Sequence, residues 1–264
     1  MSEFEFKYLK YEKEGKIAWI TLNRPEKLNA LNREAWYEIY KAIEKAEIDD
    51  GISAIVITGS GRAFCAGYDI SEFPSLYKNA KDAYVAFFEC LYPTFEKILS
   101  SKKLVVAAVN GLAYGGGCEL VMVCDLVIAS EDARFAQPEG RLGIIAPMAS
   151  VFGPSIIDRR KLSELLFTGN PISSNEAERI GLVNKVVPSN RLKDAVKELV
   201  ESIDTSAPIA LSTMKKIMNK HLINQLRDLK EALSDLILIT FQTEDFKEGV
   251  DAFLNKRKAQ WKGK

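Results

Sequence analysis

Two apolar runs that each close on glycine constrain the fold of this chain more than any other feature. The first, SAIVITGSG over residues 53–61, is rich in β-branched side chains and ends at Gly59 and Gly61. The second, LVVAAVNGLAYGGG over residues 104–117, ends at Gly115, Gly116 and Gly117 and leads directly into CELVMVCDLVIAS. A short continuous β-branched run bounded by glycine reads as a buried strand. The segment after Gly117 begins as an apolar helix and ends as another strand. Strand, glycine turn and helix recur as a unit, which points to α/β architecture.

The flanking segments extend this pattern. KIAWITLNRP reads as a strand stopped by a turn at Asn23, Arg24 and Pro25. From Asn32, with that or a nearby residue as the cap, the spacing predicts a helix whose buried face carries Ala35, Ile39, Ala42, Ile43 and Ala46. Beyond Pro188 the composition changes, and three segments within residues 195–258 read as helices with no strand between them. The expected organisation is a mixed core over residues 1–188 and a helical region over 189–264.

Charge and cysteine usage exclude several functions. The 264 residues carry 36 basic and 36 acidic side chains, so no field over the whole surface would draw in nucleic acid or an anionic membrane. Cys65, Cys90, Cys118 and Cys124 form no CxxC pair and read as reduced, buried thiols. The N-terminal MSEFEFKYLKYEKEGK has no apolar run of the signal-peptide kind, and no later run is long enough to cross a bilayer. The expectation is a soluble, cytoplasmic protein. His221 is the only histidine and reads as a surface helix residue, which argues against a catalytic triad or a multi-histidine metal site. GSGRAF has Phe64 where a dinucleotide loop needs its third glycine.

The glycines can serve chemistry as well as packing. With a helix starting near Cys118, the amides of Gly115, Gly116 and Gly117 are unpaired donors at its positive end, suited to a developing oxyanion. The turn GRAFCAGYDI, with Gly67 at its bend, supplies a second possible donor. Asp69 reads as a helix N-terminal acid and Asp125 as a structural acceptor.

Taken together, the motifs NRP-K-NAL, G-AFCAG-D, NG-A-GGGCEL---CD and F-QPE--LG, continued by LLFTGNPISSNEAERIGLVNKVVP and the tail TEDFKEGVDAFLNKRKAQWKGK, run nearly from end to end. In these motifs the chain resembles the crotonase, or enoyl-CoA hydratase/isomerase, superfamily. The resemblance implies a right-handed spiral of ββα units followed by helices that build a homotrimer or a dimer of trimers. It implies that the backbone N–H groups of Tyr68, beside the bend at Gly67, and of Gly116 hold the thioester oxygen of an acyl-CoA. By the same likeness the Ala66 carbonyl meets the adenine amino group, Arg62 and Ser71 lie near the CoA nucleotide, and Phe253 and Lys256 reach CoA bound to a neighbouring subunit. Coenzyme A is then part of the substrate, and no separate cofactor or metal is implied.

The resemblance also brings Glu119 and Glu139 to one side of the bound enoyl group. Adding water across a 2-enoyl thioester requires a base for water at Cβ and an acid for Cα, roles that two carboxyls in different protonation states can fill. One departure bears on the reaction. Where the family's hydratases read LG-IPG-GGTQRL, this chain reads LGIIAPMASVFGPSII. An ungapped count puts Pro147, which has no N–H, where a glycine amide of those hydratases holds the catalytic water. Hydration of trans-2-enoyl-CoA to 3-hydroxyacyl-CoA is the leading expectation. The second is Δ3,Δ2-enoyl-CoA isomerisation by Glu139, and the third is RNA binding, which the balanced charge does not support. Chain length is not legible, because it depends on walls around Phe73 to Phe88 and on the loop after Glu139.

Overall fold

Each glycine-terminated run gives one strand to a central sheet and, a few residues later, one to a smaller sheet. In the computed structural model, which describes residues 5–76, 80–232 and 234–264, the strands are β1 (Leu9–Glu14), β2 (Ile17–Leu22), β3 (Ala54–Gly59), β4 (Ala63–Cys65), β5 (Leu104–Val109), β6 (Leu112–Tyr114), β7 (Leu126–Ser130), β8 (Arg134–Ala136), β9 (Ile172–Ser173) and β10 (Lys185–Val187). The main sheet has the order β1-β2-β3-β5-β7-β10 and the second the order β4-β6-β8-β9. All neighbours pair in parallel except β1 with β2 and β8 with β9. Thus β3–β4, β5–β6 and β7–β8 are successive turns of one spiral, stepping between the sheets.

The second apolar run is two strands rather than the single one expected. The Asn110–Gly111 turn divides it, and the Asn110 side chain ties that turn to the one after β3, accepting from Gly59 N at 3.0 Å and donating to Gly61 O at 3.0 Å. Covering of the main sheet on both faces explains why its strands show no polar alternation. Ile20, Ile55, Ile57, Val105 and Ala107 enter the larger core, whereas Trp19, Val56, Val106, Ala108 and Ile128 face Leu192, Val196 and Val200.

Seven helices matter for the site: α1 (Arg33–Glu47), α2 (Tyr92–Ser100), α3 (Gly116–Val123), α4 (Pro147–Ile156), α5 (Leu192–Ile203), α6 (Pro208–Ala232) and α7 (Glu244–Leu254). Asn32 caps α1, its Oδ1 accepting from Ala35 N at 2.9 Å, and the five side chains expected on the inner face are all buried. After Pro188 the described chain is helical. Its first long helix, α5, lies on the main sheet, so the change at Pro188 is one of composition within a continuous core. Asp125 accepts from Val105 N at 2.7 Å and from Lys215 Nζ at 2.6 Å, which locks α6 onto β5. His221 is an exposed residue of α6. Cys65 and Cys118 are buried, Cys90 and Cys124 half-buried, and all four are free thiols.

A strap over residues 24–31 joins β2 to α1 and braces the turn after β4. Asn29, in the left-handed region at φ 57°, donates to Ser60 O at 2.9 Å and Ala63 O at 2.8 Å, and accepts from Arg24 N at 3.0 Å. Arg24 and Lys27 both reach Asp69 Oδ2, at 2.8 and 3.0 Å. Burial would raise the Asp69 carboxyl, but the Ser71 hydroxyl and these two cations outweigh it and hold the group at about 2. Asn29 is buried, so removing its amide takes the partner from Arg24 N and Ser60 O and leaves Ala63 O only the longer bond from Asn110 Nδ2 at 3.3 Å. Asn29→Ala is expected to lower stability by about 2–3 kcal/mol in urea unfolding. A loss under about 0.5 kcal/mol would contradict this role for the strap.

Candidate active site

The strap determines which amides of the β4 turn remain available. Ala66 N donates to Leu28 O at 3.0 Å and Asp69 N to Leu31 O at 2.9 Å, while Leu31 N donates to Gly67 O at 2.8 Å. Gly67 N faces Cys65 Sγ at 3.3 Å. That leaves the Tyr68 N–H, which has no partner among the described residues. The second loop leaves another. Helix α3 begins at Gly116, two residues earlier than expected, with Gly115 as its N-cap; Gly115 N donates to Ala136 O and Glu119 N to Gly115 O, both at 2.9 Å. The Gly116 N–H therefore lies ahead of the helical hydrogen-bond ladder, without a protein acceptor among the described residues.

The two amides are neighbours. A Cβ on Gly67 would stand 3.0 Å from Gly116 N and 2.8 Å from Tyr114 O, and one on Gly116 would stand 3.6 Å from Tyr68 N. Gly67, at φ 95°, is thus required by both its backbone conformation and the closeness of the second loop. Gly115, at φ 53°, is required by its backbone conformation, and a Cβ there would lie 2.9 Å from Glu139 Oε1.

Both carboxyls enter the same cavity, of about 70 Å³, which Tyr68, Gly116 and Pro147 also line. Glu119 lies in the first turn of α3, and its Oε1 accepts from Ala149 N at 2.9 Å in the first turn of α4. It therefore sits at the positive ends of two helices. Glu139 opens a 3-10 turn directly after β8. Gln137, fully buried, donates to its Oε2 at 3.2 Å and Oε1 at 3.3 Å in the amide orientation that satisfies both residues.

With this geometry established, comparison with known proteins is decisive. The sequence profile described as enoyl-CoA hydratase/isomerase matches residues 12–264. A probable enoyl-CoA hydratase of Rhizobium meliloti (strain 1021) is 39% identical over 97% of this chain and 98% of its own. A short-chain-enoyl-CoA hydratase of Clostridium acetobutylicum is 38% identical over 94% of this chain and 95% of its own. This chain belongs to the enoyl-CoA hydratase/isomerase family. Among solved structures, the carnitinyl-CoA hydratase of Mycobacterium avium superposes with a TM-score of 0.84 at 34% identity, over 98% of this chain and all of its own.

In this family member the cavity gathers Ala66, Gly67, Tyr68, Gly116, Glu119 and Glu139 from three separate segments: the turn after β4, the start of α3 and the 3-10 turn after β8. The carbonyl of Ala66 accepts no hydrogen bond from the described residues. The other expected residues lie apart from the cavity. Arg62 is exposed in the turn before β4, and the Ser71 hydroxyl is held by Asp69 Oδ1 at 2.6 Å. Phe253 and Lys256 are exposed at the end of α7. Among the described residues no three of His, Cys, Asp and Glu gather as a metal site. No described helix is long and apolar enough to cross a membrane.

Gln137 and the Met148 and Ala149 amides escaped the sequence reading. The first had a signal, standing two residues before Glu139 in FAQPEG. The amides had none, since only the folded position of α4 brings them to Glu119. Pro147 occupies the first position of α4, where a missing N–H does no harm to the helix.

Burial pushes Glu119 up to about 7, against the opposing amides of Ala149 and Met148. Burial, with the nearby Glu119 charge added, pushes Glu139 well above the usual carboxylate range. A folded-state pKa raised above the unfolded one gives stability that is complete at low pH and is lost as pH rises through the folded value. For Glu119, raised by burial, that loss runs from the ordinary carboxylate range upward through neutral pH. Glu119→Gln is therefore expected to melt higher than the parent at pH 8 and at nearly the same temperature at pH 4. An equal or lower melting temperature at pH 8 would contradict the buried charge.

Proposed function

We propose that the chain adds water across the double bond of a trans-2-enoyl-CoA, giving the 3-hydroxyacyl-CoA. The observation that carries this reading is the meeting of two unpartnered amides and two buried carboxyls in one cavity. Glu139, raised further by its neighbour, is the natural proton donor; Glu119, whose anion the α4 amides favour, is the natural base. Glu119 takes a proton from water as the water oxygen bonds to Cβ. The double-bond electrons move toward the thioester, whose oxygen gains negative charge between the Tyr68 and Gly116 N–H groups. Glu139 then delivers its proton to Cα. No separate cofactor or metal enters this scheme, and coenzyme A arrives and leaves with the acyl group. The free Ala66 carbonyl supports contact with the adenine of that coenzyme, with Arg62 and Ser71 as expected flanking contacts.

The α4 loop supports a second reading. Pro147 has no N–H, and the Ala149 amide is taken by Glu119 Oε1, so neither is free to hold a water. Moving a proton between Cα and Cγ of a 3-enoyl-CoA needs Glu139 and the two amides but no water. The two reactions separate experimentally. Glu119→Gln and Glu139→Gln are each expected to lower crotonyl-CoA hydration by about 10²-fold or more. A parent that isomerises a 3-enoyl-CoA but shows no hydration of crotonyl-CoA would reject hydration as the main reaction; full hydratase activity in Glu119→Gln would reject Glu119 as the base, and full activity in Glu139→Gln on either substrate would reject the role given to Glu139.

The same reading carries a cytoplasmic homotrimer or dimer of trimers. Support comes from exposed apolar side chains, Ile209, Ile217 and Met218 on α6 and Leu236 and Ile239 on the helix Ser234–Thr240. Leu233, in the same apolar run, lies outside the described residues. Light scattering at micromolar concentration is expected to give three or six times the chain mass; a monomer mass would contradict it.

A further inference from the structure

Resting on the hydratase reading, we propose that the cavity admits a four-carbon enoyl group and excludes longer chains, with Phe87 and Leu91 as the wall that sets the limit. Volume is the first argument. An apolar cavity of roughly 150 Å³ accommodates a six-carbon ring, and on that scale about 70 Å³ holds about three carbons. Beyond the thioester carbonyl, a crotonyl group has three: Cα, Cβ and Cγ.

Rigidity is the second argument, because a small cavity restricts length only where its walls cannot retreat. Phe87 and Leu91 both belong to the π-type turn Val85–Leu91, which brings residues four apart in sequence to one lining. Behind Phe87 stands Phe241, edge-on at 5.3 Å, and behind Phe73 stands Phe246 at 5.5 Å. Phe241 and Phe246 close the layer with ring centroids 5.1 Å apart at an interplanar angle of 89°. Both are fully buried, so displacing either would open the core. On the side toward the amides, the Tyr68 ring stacks on Phe73 at 5.6 Å, and its hydroxyl is enclosed. A longer chain would have to force this aromatic layer outward, and overpacking of an ordered wall is unfavourable.

The test is a series of trans-2-enoyl-CoA substrates of four, six and eight carbons, followed by loss of the conjugated enoyl absorbance. The parent is expected to show the highest kcat/KM with four carbons, a fall of about tenfold or more at six, and a further fall at eight. Phe87→Ala should raise the six- and eight-carbon substrates relative to the four-carbon one by about tenfold. Leu91→Ala, smaller in volume change, should move selectivity in the same direction and covers the case in which Phe87→Ala fails to fold. A flat or rising profile in the parent overturns the length limit, and unchanged selectivity in the folded variants overturns its assignment to this wall. Absence of turnover on every chain length would instead count against the hydratase reading. The cavity is then tested by calorimetry with saturated acyl-CoA: tighter binding of butanoyl-CoA than of octanoyl-CoA supports the limit, and the reverse overturns it.

Discussion

Two backbone amides without protein partners, those of Tyr68 and Gly116, govern the construction around them. Unpaired N–H groups in an interior are unfavourable, so a fold that keeps two side by side has to satisfy every competing donor nearby. The strap does this for the β4 turn, taking up the amides of Ala66 and Asp69 and anchoring Gly67 through its carbonyl. Asn29 and the Asp69 ion pairs fix the strap itself. On the other loop, the Gly115 N–H pairs with β8, and helix α3 carries its own ladder onward from Glu119. The Tyr68 and Gly116 N–H groups are left as neighbours at the cavity, on loops carried by parallel strands whose alternate residues are packed on both sides.

The acids add a second tension. Glu119 and Glu139 are held where water is scarce, burial raising both and the Glu119 charge raising Glu139 further, which disfavours the ionised pair. Three local devices keep the arrangement from collapsing: the first-turn amides of α4 on Glu119, the Gln137 amide on Glu139, and the absence of a side chain at Gly115. The same features that make the site reactive reduce the stability of the fold at neutral pH, the usual relation between active-site chemistry and stability.

Much of this was legible in the sequence, because the strand runs, the Asn32 cap, the glycine turns and both glutamates are local signals. Where the reading departed from the structure, tertiary geometry decided. Helix α3 starts at Gly116 because Gly115 N is taken by β8, a partner more than twenty residues downstream. The LVVAAVNGLAYGGG run divides in two because Asn110 is tied to the turn after β3. Pro147 was visible as a missing N–H, but the engagement of Met148 and Ala149 with Glu119 depends on where α4 docks. Likewise the sequence placed the pocket walls only broadly, around Phe73 to Phe88, and the π-type turn with the rings behind it is what singles out Phe87 and adds Leu91.

The central claim is that the Tyr68 and Gly116 amides grip the thioester oxygen. Infrared difference spectroscopy of a bound acyl-CoA carrying carbon-13 at the thioester carbonyl tests it most directly, since hydrogen bonding to that oxygen weakens the C=O bond. The account expects the labelled carbonyl band to move to lower frequency on binding and to return on displacement by free coenzyme A. A bound thioester whose band stays at its solution frequency, or moves higher, would contradict it.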